Sequence, residues 1–478
     1  MFAKIKRRER TYHAVLLYCV WFVRDNIFGG NFDLKTNVAF ISLGCDKNLV
    51  DSEVMLGICR REGINIIQEE DKADVIVINT CCFIKDALEE SIETILEAGK
   101  LKETGNCKGI IIAGCLGQRY EKEIFDELPE VDAVLGTTEY ESIVEAVKAV
   151  LEGKKIKTLG DFDKVMKDES NSVNRVLTTA GHYAYLKIAE GCDSRCTYCV
   201  IPSLRGGYRS RTMESLVDEA VQLAQQGIKE LILVAQDTSV YGKDLYGESR
   251  LHELLQKLCA IEAIEWIRIL YCYPENITDE TIKVMAENEK ILKYIDMPVQ
   301  HGNDAVLKRM GRRSTSKLIK NKVNKLRKAM PDIAIRTSII VGFPQETGEE
   351  FGSLAEFVED IKFDRLGVFT YSQEEGTPAA RMDGQISEEM KNERKDIIMD
   401  IQRNISAEKC QSFVGKELRV IIEGKLPDDN IYCARSYRDA PEIDGLVFVE
   451  SSEELLTGDF ADVIISSASD YDLYGSVK

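Results

Sequence analysis

Six cysteines, in two sets of three, are the residues whose type and spacing can do chemistry. Cys192, Cys196 and Cys199 form a close-set Cys-x3-Cys-x2-Cys, whereas Cys45, Cys81 and Cys115 lie far apart in the chain. Thiolates are soft ligands suited to zinc or iron-sulfur centres. Three of them leave a four-coordinate metal, or a four-iron cluster, with one position open to a reactant. Structural zinc is closed by four ligands. No second Cys-x2-Cys or His pair follows the close-set triplet, and the chain has only His13, His182, His252 and His301. An iron-sulfur cluster with one iron free fits the ligand type and count better.

Taken singly, Cys45, Cys81 and Cys115 read as small buried hydrophobes, as do Cys19, Cys59, Cys107, Cys259, Cys272, Cys410 and Cys433. Their places in the pattern change that reading. Residues 38–43, 75–78, 109–113 and 131–135 are short apolar runs, each followed by an amphipathic stretch, so 37–152 predicts an open parallel α/β sheet. Cys45 follows the first run in Leu-Gly-Cys, Cys81 the second in Asn-Thr-Cys, and Cys115 the third in Ala-Gly-Cys. Ligands of open parallel sheets bind beyond the carboxyl ends of the strands, where three cysteines remote in sequence can meet. Cys82, beside Cys81, is an alternative ligand at the second position.

A polar, turn-rich linker at 153–180 separates this region from a second βα series. Its strand candidates are 183–188, 230–235, 266–271, 294–297, 333–341 and 366–371. Right-handed crossovers would curl six βα units, spanning 181–410, into an incomplete barrel with its active face at the strand carboxyl ends. The Cys192-Cys196-Cys199 loop directly follows the first of them. From 411 to 478, short runs at 418–422, 446–449 and 461–465 punctuated by turn residues predict a small β-barrel. The whole is a multidomain α/β chain.

At 478 residues, with 44% hydrophobic and 30% charged residues, the composition is that of a globular protein of several units. Fourteen scattered cysteines do not form a disulfide framework, and thiolate ligands need a reducing compartment such as the cytosol. Residues 1–36 stand outside the periodic pattern. Their basic start (Lys4, Lys6, Arg7, Arg8, Arg10) and apolar run from Ala14 to Val23 are too short to span a bilayer and lack a cleavage site. They read as an unstructured or mis-assigned extension, with Leu34 as the native start.

The net charge of −19 argues against wholesale nucleic-acid binding. Residues 411–478 hold six Lys and Arg against fourteen Asp and Glu, a surface that repels phosphate and attracts a basic protein. Lys308 to Lys328 runs the other way, with ten basic residues, no acid, and Ile319, Val323, Leu326 and Met330 at helical spacing. It predicts one amphipathic helix whose basic face is either solvated or touches RNA.

The close-set triplet with Tyr198 before its third cysteine, following the first strand of an incomplete barrel, resembles the radical S-adenosylmethionine superfamily. That resemblance implies a 4Fe-4S cluster whose free iron chelates S-adenosylmethionine, with cleavage to a 5'-deoxyadenosyl radical. It also implies cofactor contacts from Tyr198, from Gln236 and Asp237 after the second strand, and from Gly342 after the fifth. The order of a three-cysteine α/β domain, a radical barrel and a TRAM-like β domain is similar to the methylthiotransferases. One branch (MiaB-like) modifies a tRNA adenosine, the other (RimO-like) an aspartate of the twelfth small-subunit ribosomal protein. Ser-Leu-Gly-Cys45-Asp-Lys-Asn-Leu-Val-Asp-Ser-Glu, Cys192-Asp-Ser-Arg-Cys196-Thr-Tyr-Cys199-Val-Ile-Pro-Ser-Leu-Arg-Gly and Arg-Asp-Ala-Pro-Glu-Ile-Asp-Gly are similar to the second branch. Asp46 stands where proline is common and Cys82 where glycine is common. The resemblance implies a second, sulfur-carrying 4Fe-4S cluster on Cys45, Cys81 and Cys115, a ribosomal-protein acceptor at its aspartate β-carbon, a flavodoxin or ferredoxin electron donor, and no membrane partner.

Overall fold

The computed structural model describes residues 36–160, 162, 175–427 and 430–478. The extension with its Leu34 start, and part of the linker, lie outside them. The chain divides into two compact units. The first runs to Thr179 and takes in Glu190–Asp193 and Val200–Arg209; the second comprises Ala180–Ala189, Ser194–Cys199 and Ser210–Lys478.

The first unit holds β1 (Asn37–Ser42), β2 (Asn65–Ile67), β3 (Val75–Thr80), β4 (Gly109–Gly114), β5 (Val131–Leu135) and β6 (Ile156–Thr158). They form one parallel sheet in the order β2-β1-β3-β4-β5-β6. β3 and β4 are buried along their whole length, which is why both read as unbroken apolar runs rather than alternating ones. Successive residues face opposite ways. Ile76, Ile78, Ile110 and Ile112 pack with Leu88, Ile92 and Ile95 of the helix Lys85–Thr104. Val75, Val77 and Ile111 pack with Val54, Ile58, Ile143 and Val147 on the other face. The edge strands β2 and β6, three residues each and exposed or half-buried, carry too little periodicity to be legible beforehand.

In the second unit, β7 (Tyr183–Lys187) begins the series; the two-residue strands β8 (Ala189–Glu190) and β9 (Arg209–Ser210), each with one residue in either unit, precede and follow the cysteine loop in the chain. β10 (Glu230–Val234), β11 (Trp266–Ile269), β12 (Tyr294–Asp296), β13 (Ala334–Val341) and β14 (Arg365–Thr370) complete six parallel strands. They pair as β7-β10-β11 and β12-β13-β14, with an isolated parallel bridge from Ile267 to Ile291 between the two sets. Among the described residues no pairing joins β7 to β14, as in an incomplete barrel. β15 (Glu417–Lys425), β16 (Ile431–Ser436), β17 (Val447–Glu450), β18 (Phe460–Ala468) and β19 (Leu473–Val477) close into a separate barrel around Val420, Ile422, Val447, Val449, Val463 and Ile465.

That terminal barrel packs on residues at or near the starts of the parallel strands. Glu230, fully buried, pairs with Arg268 (2.8 Å) and Arg435 (2.7 Å). Arg365 pairs with Asp439 (2.5 Å), and Tyr294 donates to Asp444 (2.7 Å). The carboxyl ends of the parallel strands are thereby left to the site.

The basic stretch corrects the sequence reading. Lys308 to Lys328 is not one helix but parts of two, Asp304–Arg309 and Ser316–Ala329. Gly311, at φ +71°, turns the chain between them, and a side chain there would meet the Arg195 carbonyl at 2.8 Å. The face is solvated, but its cations are partly engaged: Lys320 pairs with Asp360 and Lys325 with Asp279 (2.9 Å) in solvent-exposed pairs, and Arg327 donates to the Ile361 carbonyl (2.7 Å).

Candidate active site

All three separated cysteines sit just past the carboxyl ends of adjacent strands: Cys45 beyond β1, Cys81 beyond β3, Cys115 beyond β4. Cys45 is exposed, Cys81 and Cys115 buried. Gly44 makes the first approach possible. At φ +87°, a Cβ on it would lie 2.5 Å from the Cys81 Cβ and 2.9 Å from its Sγ, so only glycine lets these two loops touch.

A hydrogen-bonded frame ties the loops together. The Asn48 amide donates to the Leu43 carbonyl (3.1 Å) and the Thr80 carbonyl (3.0 Å), holding the chain just ahead of Cys45 and Cys81. Thr80 Oγ1 donates to the Ala113 carbonyl (2.6 Å) and accepts from the Leu116 amide (3.3 Å), which anchors the Cys115 turn. Ser91 accepts from the Cys81 amide (3.1 Å) and donates to its carbonyl (2.8 Å). Burial, with Cys115 and Cys45 as neighbours, pushes the Cys81 thiol up to about 12. Burial likewise raises the Cys115 thiol, and the Arg205 guanidinium opposes it. Cys82 belongs to the apolar core under the helix Lys85–Thr104.

Arg205 was not legible as a site residue, although it lies in the motif that follows Cys199. Its buried guanidinium donates to Glu190 (2.7 Å), to Asp51 (3.3 Å) and to Asn48 Oδ1, and one nitrogen stands 4.0 Å from Cys115 Sγ. Asn48 and Asp51 are in the Cys45 motif, so spacing alone marked the segment without revealing what it holds.

In the close-set loop, the Cys192 amide donates to the Gly206 carbonyl (3.1 Å) and the Cys199 amide to the Cys196 carbonyl (3.1 Å). Thr197 is clamped by the turn between the two basic helices: its amide donates to the Met310 carbonyl (2.9 Å) and its hydroxyl to that of Arg309 (2.8 Å). Arg312, which the sequence places on an outer basic face, is buried here. It lies 3.9 Å from Cys196 Sγ, donates to the Pro298 carbonyl (3.2 Å) and stacks on Tyr273 at 4.1 Å. Among the described residues no three His, Cys, Asp or Glu side chains stand at single-ion coordination distance.

The four residues expected at the cofactor are differently placed. Tyr198 packs against an apolar cluster of Val306, Met310, Phe343, Tyr371 and Ala379. Asp237 is buried and occupied internally, accepting from Asn276 (2.8 Å), the Ser239 amide (3.0 Å) and the Ser239 hydroxyl; burial raises its carboxyl. Gln236, half-buried, follows β10. The Gly342 amide donates to Glu346 (3.0 Å) at the end of β13. Asp237 therefore shapes the loop after β10 rather than offering a free carboxylate.

Models of three families match the chain: Uncharacterized protein family UPF0004 over residues 37–136, the Radical SAM superfamily over 186–358 and the TRAM domain over 414–477. The chain is 54% identical over 441 residues to the ribosomal protein uS12 methylthiotransferase RimO of Lachnoclostridium phytofermentans, covering 92% of this chain and 100% of the relative. It is 50% identical to that of Acetivibrio thermocellus, covering 93% and 99%. The RimO of Clostridioides difficile is 48% identical, covering 92% and 98%. Among solved structures, the radical S-adenosylmethionine methyltransferase TsrM of Kitasatospora setae, with cobalamin and a [4Fe-4S] cluster bound, matches with a TM-score of 0.53 at 14% identity, over 72% of this chain and 74% of that one; this is a likeness of fold. With identity near one half sustained over almost the full length of those relatives, the chain belongs to the family of ribosomal protein uS12 methylthiotransferases.

Proposed function

We propose that this chain is a radical S-adenosylmethionine methylthiotransferase that places a methylthio group on the β-carbon of an aspartate of ribosomal protein uS12. The observation that carries the acceptor is the 54% identity over the whole length of a relative named for that activity. The acidic balance of residues 411–478 supports it over a tRNA adenosine, because six basic against fourteen acidic residues repel a phosphate backbone.

Cys192, Cys196 and Cys199 would hold one 4Fe-4S cluster, and Cys45, Cys81 and Cys115 the other. The donor sets fit: three soft thiols each, and a glycine cradle at Gly44 against Cys81. The packing of Gly44 on Cys81, with Cys82 turned into the core, supports Cys81 as the second ligand. When bound, these groups and S-adenosylmethionine supply one-electron cleavage to a 5'-deoxyadenosyl radical and a sulfur to be methylated. The chain's own part is positional. Asn48 and Thr80 hold three cysteine loops in one frame, Met310 and Arg309 clamp Thr197 between Cys196 and Cys199, and the terminal barrel covers the strand starts. Tyr198, Gln236 and Gly342 would line the cofactor's place, with Asp237 shaping the loop that carries Gln236. A flavodoxin or ferredoxin would deliver the electrons, and the need of thiolate ligands for a reducing compartment supports a cytoplasmic setting.

Enzyme reconstituted anaerobically with iron and sulfide, and offered uS12 and tRNA separately, tests this by mass spectrometry. A methylthio gain on a uS12 aspartate is the expected result; a gain on tRNA alone would overturn the assignment.

A further inference from the structure

Arg205 is more than a structural ion pair. Its side chain is 2% exposed, and desolvating a cation is costly unless its partners are well placed. Glu190 and Asp51 meet that need. A third contact does not belong to the ion pair: one nitrogen lies 4.0 Å from Cys115 Sγ, within range of a weak N–H···S interaction. The same nitrogen donates to Asn48 Oδ1, whose amide in turn holds the chain ahead of Cys45 and Cys81.

Proximity of an arginine to a cysteine is not enough by itself. Arg365 stands 3.9 Å from Cys410, a buried cysteine whose apolar cluster holds no second thiol among the described residues. What distinguishes Arg205 is the pairing of both roles: it touches one sulfur of the separated triad and, through Asn48, the loops bearing the other two. Net charge and hydrogen bonds to the sulfurs set the reduction potential of an iron-sulfur cluster. Adding an electron makes a thiolate-bound cluster more negative, and a desolvated cation beside it stabilises that state more than the oxidised one.

We propose that Arg205 is a positioning residue of the second cluster, raising its reduction potential through charge and a contact to the Cys115 sulfur while aligning its ligand loops through Asn48. This rests on the reading that Cys45, Cys81 and Cys115 hold a cluster.

The test uses the full chain with Cys192, Cys196 and Cys199 replaced by alanine, so that one cluster remains, titrated potentiometrically under electron paramagnetic resonance. Arg205→Met should make the reduced form about tenfold scarcer at a given potential, a shift of about 59 mV to the negative for a one-electron couple. Arg205→Lys, which keeps the charge, should recover most of it. A fully loaded Arg205→Met protein with an unchanged midpoint overturns the proposal. So does an Arg205→Lys protein shifted as far as Arg205→Met, because packing rather than charge would then be at work. Should Arg205→Met not load iron, Arg205→Gln, able to bond Asn48 without the charge, replaces it. Loading lost in Met and Gln but kept in Lys supports the proposal; loading lost in all three overturns it. A parent protein holding no iron sinks the two-cluster reading itself, and this proposal with it.

Discussion

At the scale of residues, the site rests on which thiols count. Cys81 and Cys82 are neighbours in sequence and opposite in surroundings: one is pressed on Gly44, the other sits in the core. Replacing Cys45, Cys81 or Cys115 by alanine is expected to lower the iron content from about eight to about four per chain, taking four-iron clusters as the type. Cleavage of S-adenosylmethionine should survive while methylthio transfer is lost. Cys82→Ala should keep about eight. Iron and sulfide assays alongside 5'-deoxyadenosine release check both, and a Cys82 variant that loses half its iron would exchange the two assignments. The placing of Cys45, Cys81 and Cys115 beyond adjacent strand ends was legible because each follows an apolar run in the sequence. Arg205, Asn48 and Arg312 were not, because arginine and asparagine are ordinary surface residues until tertiary packing buries them.

Elements were legible in proportion to their burial. β3 and β4, buried throughout, announce themselves as apolar runs, and the parallel order follows from the helices between them. β2 and β6 were lost because a three-residue edge strand has no period to read. The basic stretch misled for a different reason: Ile319, Val323 and Leu326 do mark a helix, but Gly311 interrupts the run, and the turn it makes is what grips Thr197. The paired lysines of that helix bear on its role. Lys320 and Lys325 are engaged with Asp360 and Asp279, and Lys322 donates to the Ile277 carbonyl. Reversing all three to Glu is expected to lower the thermal midpoint while leaving association with small ribosomal subunits unchanged. Each lost exposed pair contributes little, because water and salt screen it, and the half-buried Lys322 adds a further cost. Calorimetry and co-sedimentation separate the two effects; weaker sedimentation at unchanged stability would assign the helix to RNA.

For the whole molecule, the buried charges under the terminal barrel decide stability. Burial alone would raise the Glu230 carboxyl, but Arg435 and Arg268 together hold it below the usual range. Asp439 behaves likewise beside Arg365 and Arg438. A carboxyl whose folded value is depressed contributes stability that is present above the unfolded value, about 4, and is lost as pH falls through the folded one. The second unit should therefore hold its stability down to about pH 4 and lose it below, as followed by unfolding at stepped pH. Glu230→Gln leaves two buried guanidiniums undercompensated and should cost about 3–5 kcal/mol; a loss under about 1 kcal/mol, typical of exposed pairs, would show that water reaches them.

The first unit takes back two stretches of chain, Glu190–Asp193 and Val200–Arg209, after the linker has been passed. A gene severed at that linker would yield an amino-terminal polypeptide lacking Val200 and Leu204 from its apolar layer and lacking the cation beside Cys115. Such halves are not portable cassettes. A recombination event that traded one amino-terminal region for another would have to import the returning segments as well, so the two must be inherited together.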